Sequence, residues 1–223
     1  MPTLFQTLLG LHIAGGFAGL FCGTISIAVK KGSKLHKVAG KIFFWGMLVA
    51  SIAALVLSNL PEHHNIFLFA VGGFTLYMIS SGYRIIYLKK QFKSNAASFK
   101  ALDYLISLFG FCFGLFLVYL AIVNLFEGNN FGLVPGAFGL ICMNYARMDF
   151  NMLFQKISLK EIWMPNHITR MMGAMIASYT AFLVVNVKMQ PAWVLWLLPT
   201  LIGSGLITYY LIKFAPKKSA KSV

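Results

Sequence analysis

The chain has 223 residues, of which 59% are hydrophobic, 15% aromatic and only 11% charged. Soluble domains carry about 25% charged residues, so this composition excludes an ordinary soluble fold and points to an integral helical membrane protein. Nineteen Lys and Arg against five Asp and Glu give a formal net charge of +14; in a soluble chain that would suggest nucleic acid, but here what matters is where the charges sit relative to the apolar spans.

A helix needs about 20 mostly apolar residues to cross a hydrocarbon core of roughly 30 Å. Seven segments reach that length, at 4–29, 42–60, 66–88, 104–126, 131–150, 167–187 and 193–214. They predict an all-α, polytopic bundle of seven transmembrane helices in one domain, 1–215, followed by a basic tail at 216–223. The first segment lacks a basic region ahead of it and is too long for a secretory leader, so it reads as a retained helix. It carries Gly15, Gly19 and Gly23 at four-residue spacing, a stripe that lets helix backbones approach closely. His12 shares that face by helical spacing.

The first connection, KGSKLHKVAGK at 31–41, is basic and punctuated by glycine. It lacks the GxxxxGK[ST] pattern of a phosphate loop, since Lys41 is followed by Ile42 and both flanks are apolar helices. A short turn also offers no surface or aromatic platform for nucleic acid, so no nucleic-acid partner is expected. Its lysines fit attraction to anionic lipid headgroups. That leaves His36, which topology does not require.

Further along, PEHHN places His63 and His64 on the opposite side of the membrane. The third helix aligns Gly73, Tyr77, Ser81 and Arg84, and the fourth aligns Asp103, Ser107, Gly110 and Gly114. Asn144, Arg147 and Asp149 lie in the second half of the fifth helix, and His167 and Arg170 open the sixth. The last helix has no lysine before Lys213, which argues against a retinal Schiff base. Cys22, Cys112 and Cys142 stand alone in separate apolar stretches, so neither a disulfide framework nor a thiolate zinc site is indicated.

Counted by side, every basic residue except Lys188 falls at one face. The positive-inside bias makes that face cytoplasmic, with the N-terminus outside, the C-terminus inside and the bacterial inner membrane as the expected location. Ionisable groups near hydrocarbon face inward or snorkel to the interface. Arg84, Asp103, Arg147, Asp149, His167 and Arg170 all come at cytoplasmic ends of helices. They either line a polar pocket or form local salt bridges at the interface.

His36 and His167 match in depth and are candidate ligands for haem b or a divalent metal, with His12 as a further metal candidate. Arg84, Arg170 and Asn144 are candidate supporting groups, the arginines as partners for haem propionates. The closely spaced histidine pair of zinc amidohydrolases is missing, because no HxxxH occurs.

The run KGSKLHKVAGKIFFWGM at 31–47 carries HK-x-x-G-K, and WMPNHITRMMGAMIASYTAFLVVN carries His167-x-x-x-Met171, followed by Ala177, Ala181 and Phe182. Together with HNIFLFAVGGFTLYMISSGYR at 64–84, these stretches resemble the bacterial membrane-protein family termed domain of unknown function 2306. The resemblance covers helices one to three and helix six. It implies a polytopic bundle with His36 and His167 as recurrent polar landmarks, and brings no activity with it. Asn186 stands where some members have an acidic residue, which removes support for a proton relay there. The functional expectation is a cytoplasmic-side polar pocket for haem, a metal or a small molecule, with a possible redox role. The alternatives are a small-solute transporter or sensor, and a membrane assembly or structural subunit with a protein partner or a second copy.

Overall fold

The computed structural model describes residues 2–93, 99–154 and 159–214. The basic tail at 216–223 and Lys156 lie outside them. Within them the chain forms seven α-helices: α1 Pro2–Ala28, α2 Lys34–Leu57, α3 Ile66–Lys93, α4 Ala101–Phe126, α5 Leu133–Leu153, α6 Leu159–Asn186 and α7 Trp193–Lys213, with a 3-10 turn at Asn130–Gly132 before α5. No strand occurs among the described residues.

Six of the seven helices are long and apolar enough to cross a membrane, the exception being α5. The second half of α5 carries Asn144, Arg147, Asp149 and Asn151, which lowers its apolarity. It nevertheless runs the depth of the bundle, antiparallel to α4. Gly132 abuts the Ala121 carbonyl, Gly139 abuts that of Gly114, and Asp149 shares a cavity with Ser107 and Asp103. The all-α seven-helix architecture therefore stands, with α5 held by its neighbours rather than by hydropathy alone.

Two helices begin well before their apolar windows. α2 starts at Lys34 rather than 42, and α6 at Leu159 rather than 167. An apolar window measures what lipid tolerates, whereas a helix continues into the headgroup region as long as its backbone is satisfied. At α2 the device is local. Gly32 takes φ +79, a left-handed turn open to glycine, and Ser33 caps the helix by accepting the His36 N–H at 3.1 Å. His36 therefore sits in the first turn of a helix and not on a connection.

α3 is the hub of the bundle, touching α2, α4, α5 and α6, while α1 lies along α2 and α7 along α6. The core fills the spaces around α3 with Phe43, Met47, Phe74, Met78, Leu117 and Met175, all buried. Gly73 meets the Phe113 ring and Gly110 meets the Tyr77 ring, so the small-residue stripes of α3 and α4 face each other. On the outside, Phe17 at 72% and Leu201 at 70% exposed show the apolar coat expected of helices bathed in lipid. An odd number of alternating helices puts the two termini at opposite ends. The ends of α1, α3, α5 and α7 gather the basic residues.

Candidate functional site

The charged residues of the interior form two pairs at the basic end of the bundle. Arg170 on α6 is fully buried and donates from both terminal nitrogens to Asp149 on α5, at 2.6 and 2.9 Å. It also donates to the Tyr145 carbonyl at 3.3 Å, and the Tyr77 hydroxyl of α3 donates to Asp149 at 2.7 Å. Two parallel N–H···O bonds are the geometry in which guanidinium and carboxylate match best. One buried carboxylate thereby ties α3, α5 and α6 together.

Arg84 on α3 takes Asp103 on α4 in the same forked way, at 2.5 and 3.0 Å. Asp103 additionally accepts the Lys100 N–H at 2.7 Å, capping the first turn of α4. Between the two pairs lies a cavity of about 20 Å³ lined by Ser81, Arg84, Asp103, Ser107, Asp149 and Met152. That is room for one water-sized molecule, far below the several hundred Å³ of a cofactor pocket. Both guanidiniums thus meet a carboxylate of the protein itself.

The histidines are positioned differently. His167 Nδ1 lies 2.9 Å from the Gly82 carbonyl of α3, His36 Nδ1 3.0 Å from the Ser26 carbonyl of α1, and His12 Nδ1 2.9 Å from the Ala50 carbonyl of α2. A carbonyl oxygen only accepts, so Nδ1 of His167 and of His12 carries the proton, whereas His36 Nδ1 also lies 3.0 Å from the Ser26 hydroxyl, which can donate to it as well as accept. For His167 and His12 that puts the lone pair on Nε2, the arrangement in which metal-ligating imidazoles are held. His36 and His167 also come close enough for charge on one to act on the other. His12 stands apart from them, one end of the α1 glycine stripe away, and His63 stacks on Phe5 at the opposite end of the bundle.

Of the residues read from sequence, the structure brings His36 and His167 to one end, at the junction of α1, α2, α3 and α6. Arg84 and Arg170 lie at the same end but are engaged by aspartates. Asn144 is exposed and accepts from Arg147 at 3.2 Å, on the outer face of α5. Five residues separate it from Asp149, about 140° around the helix, so the two cannot share a face. Sequence reasoning missed Ser26 and Gly82 as anchors of the histidines, because a backbone acceptor on another helix leaves no mark in composition or spacing. It also missed the Tyr77 hydroxyl as a partner of Asp149.

Among the described residues no group of three or more His, Cys, Asp or Glu converges as a metal cluster would. Comparisons with protein-family models, with curated proteins and with solved structures find no match to this chain.

Proposed function

We propose that this is a multi-pass protein of the bacterial inner membrane, basic face toward the cytoplasm, whose functional centre is an imidazole site that binds a metal ion through His36 and His167. The observation that carries the reading is the matched anchoring of the two rings. Each holds Nδ1 against a carbonyl of another helix, at 3.0 and 2.9 Å, and when Nδ1 donates there the Nε2 lone pair is the one left for an ion. Such anchoring orients the ligand nitrogen before the ion arrives, which lowers the cost of binding. The likeness to the domain of unknown function 2306 family, in which these two histidines are the polar landmarks, agrees with this assignment.

A metal ion is favoured over haem by two features. The arginines that would hold propionates already hold Asp103 and Asp149. The cavity beside them is water-sized. The aspartate–arginine pairs then belong to the scaffold, fixing α3 and α6 so that Gly82 and His167 stay in register. His12, at the other end of the glycine stripe, serves α1–α2 packing.

The test is elemental analysis and an absorption spectrum of detergent-purified protein, compared with His36→Ala/His167→Ala. Stoichiometric metal in the parent and its loss from the variant is the expected result. Equal metal content in both would remove the site, and a Soret band lost with the histidines would replace the ion with haem.

A further inference from the structure

At the basic end of the bundle α1 and α7 meet through a polar junction. The Tyr210 hydroxyl of α7 donates to the Ile27 carbonyl of α1 at 3.0 Å. The ammonium of Lys31, just past α1, donates to the Ser26 and Ile27 carbonyls at 2.9 and 2.5 Å and lies 4.3 Å from the centroid of the Tyr210 ring. Away from this junction the two helices pack on other neighbours, α1 on α2 and α7 on α6. Both also touch α6 at one depth, where Gly23 meets Met175 and Gly203 meets Ile176. A seam floored by α6 therefore runs between α1 and α7 and ends at Lys31. It is open to lipid: Thr24 is exposed although its hydroxyl lies 2.5 Å from that of Tyr179 on α6.

The charge at this junction is unbalanced. Lys213 ends α7 three residues after Tyr210, exposed, with its ammonium 3.0 Å from the Tyr209 hydroxyl. Among the described residues neither lysine is paired with a carboxylate: Asp103 and Asp149 hold arginines, and Glu62 and Glu127 lie at the opposite end of the bundle. Lys31 has given up part of its hydration beside a second cation, and both effects hold its pKa below the ordinary lysine value. The carbonyls it meets carry no net charge, so an anion is the missing partner.

We infer that this junction binds one anionic phospholipid, its phosphate held by Lys31 and Lys213 and its acyl chains lying along the seam between α1 and α7. Two features select a lipid over a soluble anion. The seam beside the lysines is open to hydrocarbon, and Tyr209 and Tyr210 sit in the last turn of α7, where aromatic rings take their place among headgroups. Basic pockets between transmembrane helices hold anionic headgroups by this combination of charge and groove. Lys34 and Lys37, exposed on the first turn of α2, lack the half-buried setting of Lys31 and add only diffuse attraction. The inference is independent of the histidine site.

The experiment is native mass spectrometry of protein purified in a neutral detergent. It is titrated separately with phosphatidylglycerol and with zwitterionic phosphatidylcholine, and with glycerol 3-phosphate as a soluble phosphate. The variants are Lys31→Gln/Lys213→Gln, Lys213→Gln alone and Lys34→Gln/Lys37→Gln. Lys213 is exposed, so its replacement leaves the fold intact and keeps the test valid if the double variant melts early. The expected result is one phosphatidylglycerol per chain, held about tenfold or more tighter than phosphatidylcholine. That preference should vanish in Lys31→Gln/Lys213→Gln, weaken in Lys213→Gln and persist in Lys34→Gln/Lys37→Gln. Equal retention of both lipids by the parent overturns the inference, as does a preference that survives the loss of Lys31 and Lys213. An equal loss in Lys34→Gln/Lys37→Gln would also overturn it, since diffuse surface charge would then suffice. Displacement of the lipid by glycerol 3-phosphate at comparable concentration would make this a site for a soluble anion instead.

Discussion

Asp149 on α5 and Arg170 on α6 face each other through two hydrogen bonds, 2.6 and 2.9 Å long, in the buried interior of the bundle. Arg170 has no exposed surface and Asp149 is 4% exposed. At this depth a pair is worth less than its geometry suggests, since both charges gave up hydration. Either charge left alone is far more expensive.

Removing one partner should therefore cost more than removing both. Arg170→Met and Asp149→Leu are each expected to destabilise by about 3–5 kcal/mol, and the double variant to recover most of that loss. Thermal unfolding in detergent reads all three. Additive losses in the double variant would contradict a coupled pair.

A second prediction concerns the contact between α1 and α2. A Cβ on Gly46 would lie 2.6 Å from the Gly15 carbonyl, and one on Gly15 would lie 2.7 Å from the Gly46 carbonyl. Backbone cannot step aside as a side chain can, so Gly46→Ala should push the helices apart at a cost of about 1–3 kcal/mol. Gly16, one residue from Gly15, has nothing within 4 Å of its Cβ position. Gly16→Ala should be neutral or stabilise by up to about 1 kcal/mol. Melting curves of the two variants that coincide would disprove the close approach.

The pH dependence of stability has a candidate in Lys31, in the turn between α1 and α2. Its ammonium donates to the Ser26 and Ile27 carbonyls and lies 4.3 Å from the Tyr210 ring centroid. Burial first, and the charge of Lys213 second, push its pKa down to about 8 from 10.5. With the folded value below the unfolded one, the unfolded chain binds more protons between those two pH values. This group's contribution therefore favours folding increasingly as pH rises through that window. The melting temperature of the parent relative to Lys31→Met should climb from pH 8 to pH 10; a falling difference would show that the ammonium is the favoured folded form.

Orientation is testable with fusions. A C-terminal green fluorescent protein should be fluorescent, and alkaline phosphatase at the same place inactive, because the proposed orientation puts the basic ends of the helices in the cytoplasm. Active phosphatase would reverse the topology.

The number, order and approximate place of the seven helices were legible in the sequence because about 20 apolar residues in a row have few other uses. Helix starts were not. Lys34, Lys37 and Lys41 ended the apolar window of α2, yet Ser33 caps the helix nine residues before that window opens at Ile42. At the site, the sequence offered His36 and His167 at matched depth, which the structure places at one end. Which aspartate each arginine takes was beyond it, since that depends on α4 meeting α3 at Arg84 and on α5 and α6 meeting at Asp149 and Arg170. Asn144 shows the same limit. Its depth was readable, but its phase relative to neighbouring helices was not, and it faces outward.

The most direct test of the functional assignment is X-ray absorption at the edge of whichever metal the purified protein retains. Two imidazole nitrogens should appear in the first shell at about 2.0 Å, with their multiple scattering lost in His36→Ala/His167→Ala. A first shell without imidazole, or one that the double substitution leaves unchanged, would contradict a site built on these two histidines.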